Sequence, residues 1–202
     1  MFKFVFTFIF FIVAVEKTNA EVMMQANFIG QPVMLMTDGR PNSCGIRIIG
    51  YQTPSSNNNP EEELWVPDGS FMIQRSGYGL VKALGYKIKL KDMLNNGEAI
   101  GKPIKSFWFK AEGEKATVPV LPIQPGENPL SLLYATDGES ITALIDAVFS
   151  QKVIQFALKF DSGTDIAFYG KVSLTNDEIT QSLACMKELY SLMESDVKKD
   201  QR

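Results

Sequence analysis

The residues with a claim to chemistry are two cysteines, Cys44 and Cys185, three aspartates beside turns, Asp137, Asp161 and Asp165, and four large aromatics, Trp65, Tyr78, Trp108 and Tyr169. Histidine is absent from all 202 residues. That removes Ser-His-Asp and Cys-His catalysis, His-ligated zinc and an imidazole switch near neutral pH. No G-x-S-x-G elbow occurs, and the one S-x-x-K, Ser195 to Lys198, falls in the C-terminal tail as a chance match. Gly77-Tyr78-Gly79 lacks the third glycine of a dinucleotide fingerprint and opens a strand, so no cofactor is expected.

The carboxylates offer two readings. A hydrolase using Asp137, Asp161 or Asp165 as an acid pair is compatible with the sequence, because carboxylate separation is invisible there. Asp137 and Glu139 flank Gly138, and Asp161 and Asp165 flank Gly163, which is ordinary turn chemistry. Calcium would need a dense D-x-D-x-D-G series that is missing. Met23, Met24, Met34 and Met36 carry soft sulfur suited to copper(I), but the alternation around Val33-Met34-Leu35-Met36 reads as strand packing. No metal is expected. The four aromatics are predicted to lie opposite core-facing residues or next to turns. There they would mark a partner surface, or else pack beneath loops and helix.

The two cysteines make sense in an exported chain. Residues 1 to 20 look like a secretory signal peptide, with Lys3 in the n-region, an apolar run from Phe4 to Val15, and Thr18-Asn19-Ala20 at the cleavage site. The run is too short for a comfortable membrane span, an N-terminal anchor being the alternative reading, and no second long apolar run follows, so no span is expected after cleavage. Removing Lys3, Lys17 and Glu16 takes 20 basic and 23 acidic residues to 18 and 22, a formal charge of −4. That mild acidity argues against nucleic acid as a partner. Residues 21 to 202 suit one exported domain. There Cys44 and Cys185 should pair, closing a loop of about 140 residues. Chain entropy puts that constraint at roughly 4–5 kcal/mol.

The elements that must position these residues are clearest from Ser140 to Met193. Ser140 serves as N-cap for a helix carrying Ile141, Leu144, Ile145, Val148 and Phe149 on one face. Ile154, Phe156, Leu158 and Phe160, then Ile166, Phe168 and Val172, alternate as two strands around a five-residue loop, Asp161 to Asp165. Thr175 and Glu178 form a capping-box pattern. Behind it Ile179, Leu183, Met186, Tyr190 and Met193 make the core stripe, with Cys185 on its flank beside Leu189 and Leu192. Lys198-Lys199 reads as a frayed, solvated end.

Upstream, Val33 to Met36, at the end of the Met-bearing segment Glu21 to Met36, and Cys44 to Tyr51 read as strands around a turn at Asp38 to Asn42. Thr53 to Glu63 is a surface loop whose acidic run is expected to be solvated. Leu64 to Val66 and Ser70 to Gln74 are short strands split by a turn at Pro67-Asp68-Gly69. The face Leu84, Tyr86, Ile88, Leu90 marks another strand, and Ile104 to Ala111 one more, with Phe107 and Phe109 opposite Trp108. A proline-punctuated stretch leads to a last strand, Leu130 to Ala135. Roughly eight short strands with a short helix and a C-terminal helix predict a mainly β fold, an antiparallel β-sandwich with the helix packed on it.

Ala143 to Ala147, the hairpin, Lys171-Val172-Ser173-Leu174 and Gln181-Ser182-Leu183-Ala184-Cys185 together resemble the C-terminal half of bacterial periplasmic proteins of the invasion-associated locus B type. The same order is similar to the VasI-like periplasmic accessory proteins of type VI secretion. The resemblance implies a periplasmic β-sandwich without catalytic residues, acting through envelope or secretion-system contacts. The expectation is a non-catalytic accessory or binding protein. Its rivals are an inhibitor or immunity protein presenting a loop such as Pro54 to Glu63, and the carboxylate hydrolase.

Overall fold

A computed structural model describes residues 22–55, 59–94, 99–128, 130–160 and 165–200. The chain opens with a long hairpin, β1 (Val22–Thr37) and β2 (Arg40–Gln52). Asp38 and Gly39 both take positive φ, 51° and 74°, which is the two-residue turn whose twist matches the flanking strands. Next come β3 (Glu63–Gln74), β4 (Gly79–Lys89), the five-residue α1 (Leu90–Leu94), β5 (Ile100–Lys102) and β6 (Ser106–Ala111). The rest is β7 (Gln124–Pro125), β8 (Leu132–Thr136), α2 (Gly138–Phe149), β9 (Ile154–Lys159), β10 (Ile166–Gly170), β11 (Val172–Ser173) and α3 (Asn176–Asp200).

The strands run β6-β9-β10-β1-β2-β3-β4-β8-β7 in one folded sheet, with β11 beside β1 and β5 beside β4. β1 joins its two halves. Val22 to Gln25 pair with β10, and Ala26 to Thr37 pair with β2. The smaller half, β6-β9-β10, lies over the larger one, with Phe109 stacked on Phe156 and edge-on to Phe71 of β3. The mainly β sandwich with a C-terminal helix is therefore the architecture. It departs from a purely antiparallel one at β1, which pairs parallel with β10 and β11.

The helices close the other end of the sandwich. Gly79 lies under α2, where an added Cβ would come within 2.2 Å of Ile141. Cys44 of β2 and Cys185 of α3 form the expected disulfide, with Cα atoms 5.9 Å apart. The two edges also approach each other. Thr117 donates its N–H to Phe109 O at 2.8 Å and Val120 donates to Ala135 O at 2.9 Å, so one short segment bridges β6 and β8. Tyr134 of β8 anchors it, its hydroxyl lying 2.7 Å from Thr117 Oγ1 and 3.3 Å from Phe107 O. Burial of that phenol pushes its pKa up to about 12.

Several local expectations change in three dimensions. The N-cap of α2 is Asp137, whose carboxylate accepts from Ser140 N at 2.7 Å, so Ser140 lies inside the helix. An extended aspartate reaches the free N–H groups of the first turn and its charge suits the helix N-terminus. The capping box of α3 forms as expected, with Thr175 N donating to Glu178 Oε2 at 2.7 Å. The buried stripe of α3 runs through Ser182, Cys185, Met186 and Leu189, while Leu183 and Tyr190 are exposed. Cys185, predicted on the flank, lies within this buried stripe and is bonded to Cys44. The C-terminus is helical to Asp200 rather than frayed, and Arg75 grips Asp196 at 2.6 and 2.8 Å. The acidic run is exposed but paired, Glu63 with Lys87 at 3.0 Å and Glu61 with Lys89 at 2.9 Å and with Lys91.

Candidate functional site

The largest correction lies in β3. Pro67-Asp68-Gly69, which reads as a turn, is the middle of a continuous twelve-residue strand. Proline is tolerated because the ladder to β2 starts one residue later, at Asp68 opposite Ile49, so its missing N–H costs no bond there. Gly69 is needed because an added Cβ would lie 2.5 Å from Phe109 and 3.1 Å from Phe156 of the facing sheet. Asp68 points the other way, onto the outer surface of the larger half.

That outer surface is a concavity of about 440 Å³. Val33 and Leu35 of β1, Met72 of β3, Leu80 and Leu84 of β4 and Leu133 of β8 give its apolar lining. Period two dictates their company, since the same strands send Ile46, Ile48, Phe71, Ile73, Val81, Ala83 and Tyr134 into the core. Leu84 and Tyr86, which alternate with Gly85 along β4, look outward.

Arg47 and Asp68 form the polar centre. Arg47 Nε donates to Oδ1 at 2.9 Å and Nη2 to Oδ2 at 2.5 Å, a bidentate pair. Asp68 is only 4% exposed, whereas the Arg47 side chain is half exposed. The hydrogen bond to Asp68 raises the Arg47 pKa. Tyr86 donates its hydroxyl to Asp68 Oδ2 at 3.4 Å, and burial followed by the nearby carboxylate pushes its pKa up to about 12. Lys82 and Glu127 complete the charged lining. A surface of this kind combines apolar area with one preorganised cation, which suits holding a ligand rather than transferring a proton.

The aromatics expected to bind divide three ways. Trp65 faces the sandwich interior at its rim, tilted against Phe160 at 5.1 Å and capped by the Lys87 ammonium at 5.0 Å. Tyr78 stands exposed in the β3–β4 turn. Trp108 and Tyr169 share the outer face of the smaller half. Trp108 pairs with Ala157 and that with Ala167, while Tyr169 is one pleat further on β10. They stand two strands apart, about 10 Å in the pairing direction. The two buried alanines lie between them. The structure thus places Trp108 and Tyr169 on one face without contact between them, and Trp65 and Tyr78 elsewhere.

Two of the three candidate aspartates, Asp137 and Asp165, have partners within the fold. Asp137 caps α2, and the N–H of Ser140 holds its pKa below the ordinary aspartate value. Asp165 lies 3.6 Å from Lys159. Asp161 lies outside the described residues, as do residues 56 to 58 of the proposed inhibitory loop. The flanks of that loop are tied by Ser55, whose hydroxyl donates to Glu62 Oε2 at 2.9 Å. Among the described residues, no group of three His, Cys, Asp or Glu side chains could hold a metal ion, and no helix is long and apolar enough to cross a membrane. A second groove, about 330 Å³, runs between α2 and α3 beside Ile145, Phe149, Leu183, Met186 and Tyr190.

Comparison with protein-family models, with curated proteins and with solved structures gave no match.

Proposed function

We propose that this chain is a non-catalytic binding protein of the bacterial periplasm or cell exterior that holds a protein partner on the outer concavity of its larger half-sheet. One observation carries the reading: four strands put six aliphatic or thioether side chains around a bidentate pair of the half-exposed Arg47 and the buried Asp68. Aliphatic side chains of the partner would fill the concavity. Arg47 engages Asp68 through Nε and Nη2, which leaves Nη1 to donate to a partner carbonyl or carboxylate.

The leader-like residues 1 to 20 and the disulfide between Cys44 and Cys185 support export to an oxidising compartment. The helix–hairpin–helix order of α2, β9, β10, β11 and α3 accords with the resemblance to periplasmic accessory proteins of invasion and secretion systems.

Affinity capture from envelope extracts tests the proposal. The wild type should retain a specific protein that a Leu84→Lys, Leu133→Lys variant loses, while Trp108→Ala retains it. Equal capture by the concavity variant would overturn the site. Capture of a soluble enzyme whose activity falls on binding would replace an accessory role with an inhibitory one.

A further inference from the structure

The free length of β1 has a second consequence. β10 pairs with β1 only through Gln25, and β11 only at Phe28 and Ile29. From Gly30 to Thr37 the strand pairs with β2 on one side, and among the described residues no other backbone segment bonds to it. The outward edge of this stretch is open. Exposed sheet edges are templates for another strand, and proteins blunt them with charge, proline or a covering element. Here the devices are Pro32, which has no N–H to give, and a register shift in the pairing with β2 at Leu35/Met36; from Val33 to Thr37 the strand runs on for about 17 Å.

Met34, Leu35 and Met36 are 45%, 46% and 54% exposed, on both faces of this stretch. The whole of β1, Val22 to Thr37, contains no charged residue. In an antiparallel pair built on a two-fold axis, residue i meets j as j meets i, and only the residue on the axis meets its own counterpart, so a charge at the centre of the seam would face its like. A strand from a different partner imposes no such demand.

We infer that two copies of this chain associate through Val33–Thr37 of β1, pairing antiparallel so that the larger half-sheet continues from one copy into the other. Val33 and Leu35 would then carry the concavity of each copy to the seam, with Met34 and Met36 packed on the opposite face. The inference does not depend on what fills the concavity.

The chain, expressed in full and purified as the host delivers it, is examined by sedimentation velocity over a wide concentration range and by amide hydrogen exchange. The expected result is a monomer–dimer equilibrium, with Val33 to Thr37 amides gaining protection as the dimer fills. Met34→Lys with Met36→Lys should weaken association by about tenfold or more by placing like charges across the axis. Leu183→Lys, on α3, should leave association unchanged. A monomer at every concentration overturns the inference, as does a dimer whose β1 amides exchange at the monomer rate. Unaltered association of the double variant also overturns it. The exchange measurement uses the wild type, so a variant that fails to fold does not shield the inference.

Discussion

Arg47 on β2 and Asp68 on β3 are locked by two parallel hydrogen bonds of 2.9 and 2.5 Å, although they are not register partners; Arg47 faces Ser70 and Asp68 faces Ile49. The diagonal places a buried carboxylate under a guanidinium that still reaches water. Burying that carboxylate is tolerable only while the guanidinium and the Tyr86 hydroxyl satisfy it.

Removing one partner should therefore hurt more than removing both. Arg47→Ala is expected to cost about 1–3 kcal/mol, because it strands a buried acceptor. Arg47→Met combined with Asp68→Leu should recover most of that loss. Urea unfolding of Arg47→Met, Asp68→Leu and the double variant measures the coupling, and strictly additive losses would remove the pair from the account.

The Cys44–Cys185 bridge spans 141 positions and ties the first hairpin to the last helix. Chain entropy gives roughly 4–5 kcal/mol for so long a loop. Reduction, or Cys44→Ala with Cys185→Ala, should lower the unfolding midpoint markedly. It should first loosen α3, whose buried stripe centres on Cys185. Exchange protection in α3 that is identical with and without reductant would contradict this.

Alkaline pH should destabilise the fold through two phenols. Tyr86 and Tyr134 both rise from 10.0 to about 12 on folding, chiefly by burial. Their contribution is complete below pH 10, where both states keep the proton. It is lost as pH climbs to about 12, at no more than about 1.4 kcal/mol per pH unit for each phenol. Tyr134→Phe should remove its share of that slope while costing about 1 kcal/mol at neutral pH through the lost hydroxyl bonds. Equal slopes for wild type and variant would show that Tyr134 does not titrate on unfolding.

Gly69→Ala should be costly although the backbone needs no special φ there. The new methyl would lie 2.5 Å from Phe109, whose ring is fixed by stacking on Phe156. Overpacking of this kind costs about 1–3 kcal/mol. Gly113→Ala provides a contrast, since its cost arises from a φ of 83° with no neighbour within 4 Å. A Gly69→Ala protein as stable as wild type would mean that the two half-sheets can separate locally at no cost.

What the sequence determined by itself was whatever depends on near neighbours. Period two exposed β6, β9 and β10, and Thr175 with Glu178 announced the start of α3, because these signals are complete within a few residues. The pairing of Cys44 with Cys185 was legible because two cysteines in a chain that begins with a leader-like run have one choice. The concavity was hidden for the opposite reason. Pro67-Asp68-Gly69 carries turn chemistry locally, and only Phe109, Phe156 and Arg47, distant in sequence, make it the centre of a strand. Likewise the pattern of α3 could not show which side would turn inward, so Leu183 and Tyr190 were assigned to the core. The tertiary structure decided those cases, because long-range packing outweighs local preferences of about 1 kcal/mol or less per residue.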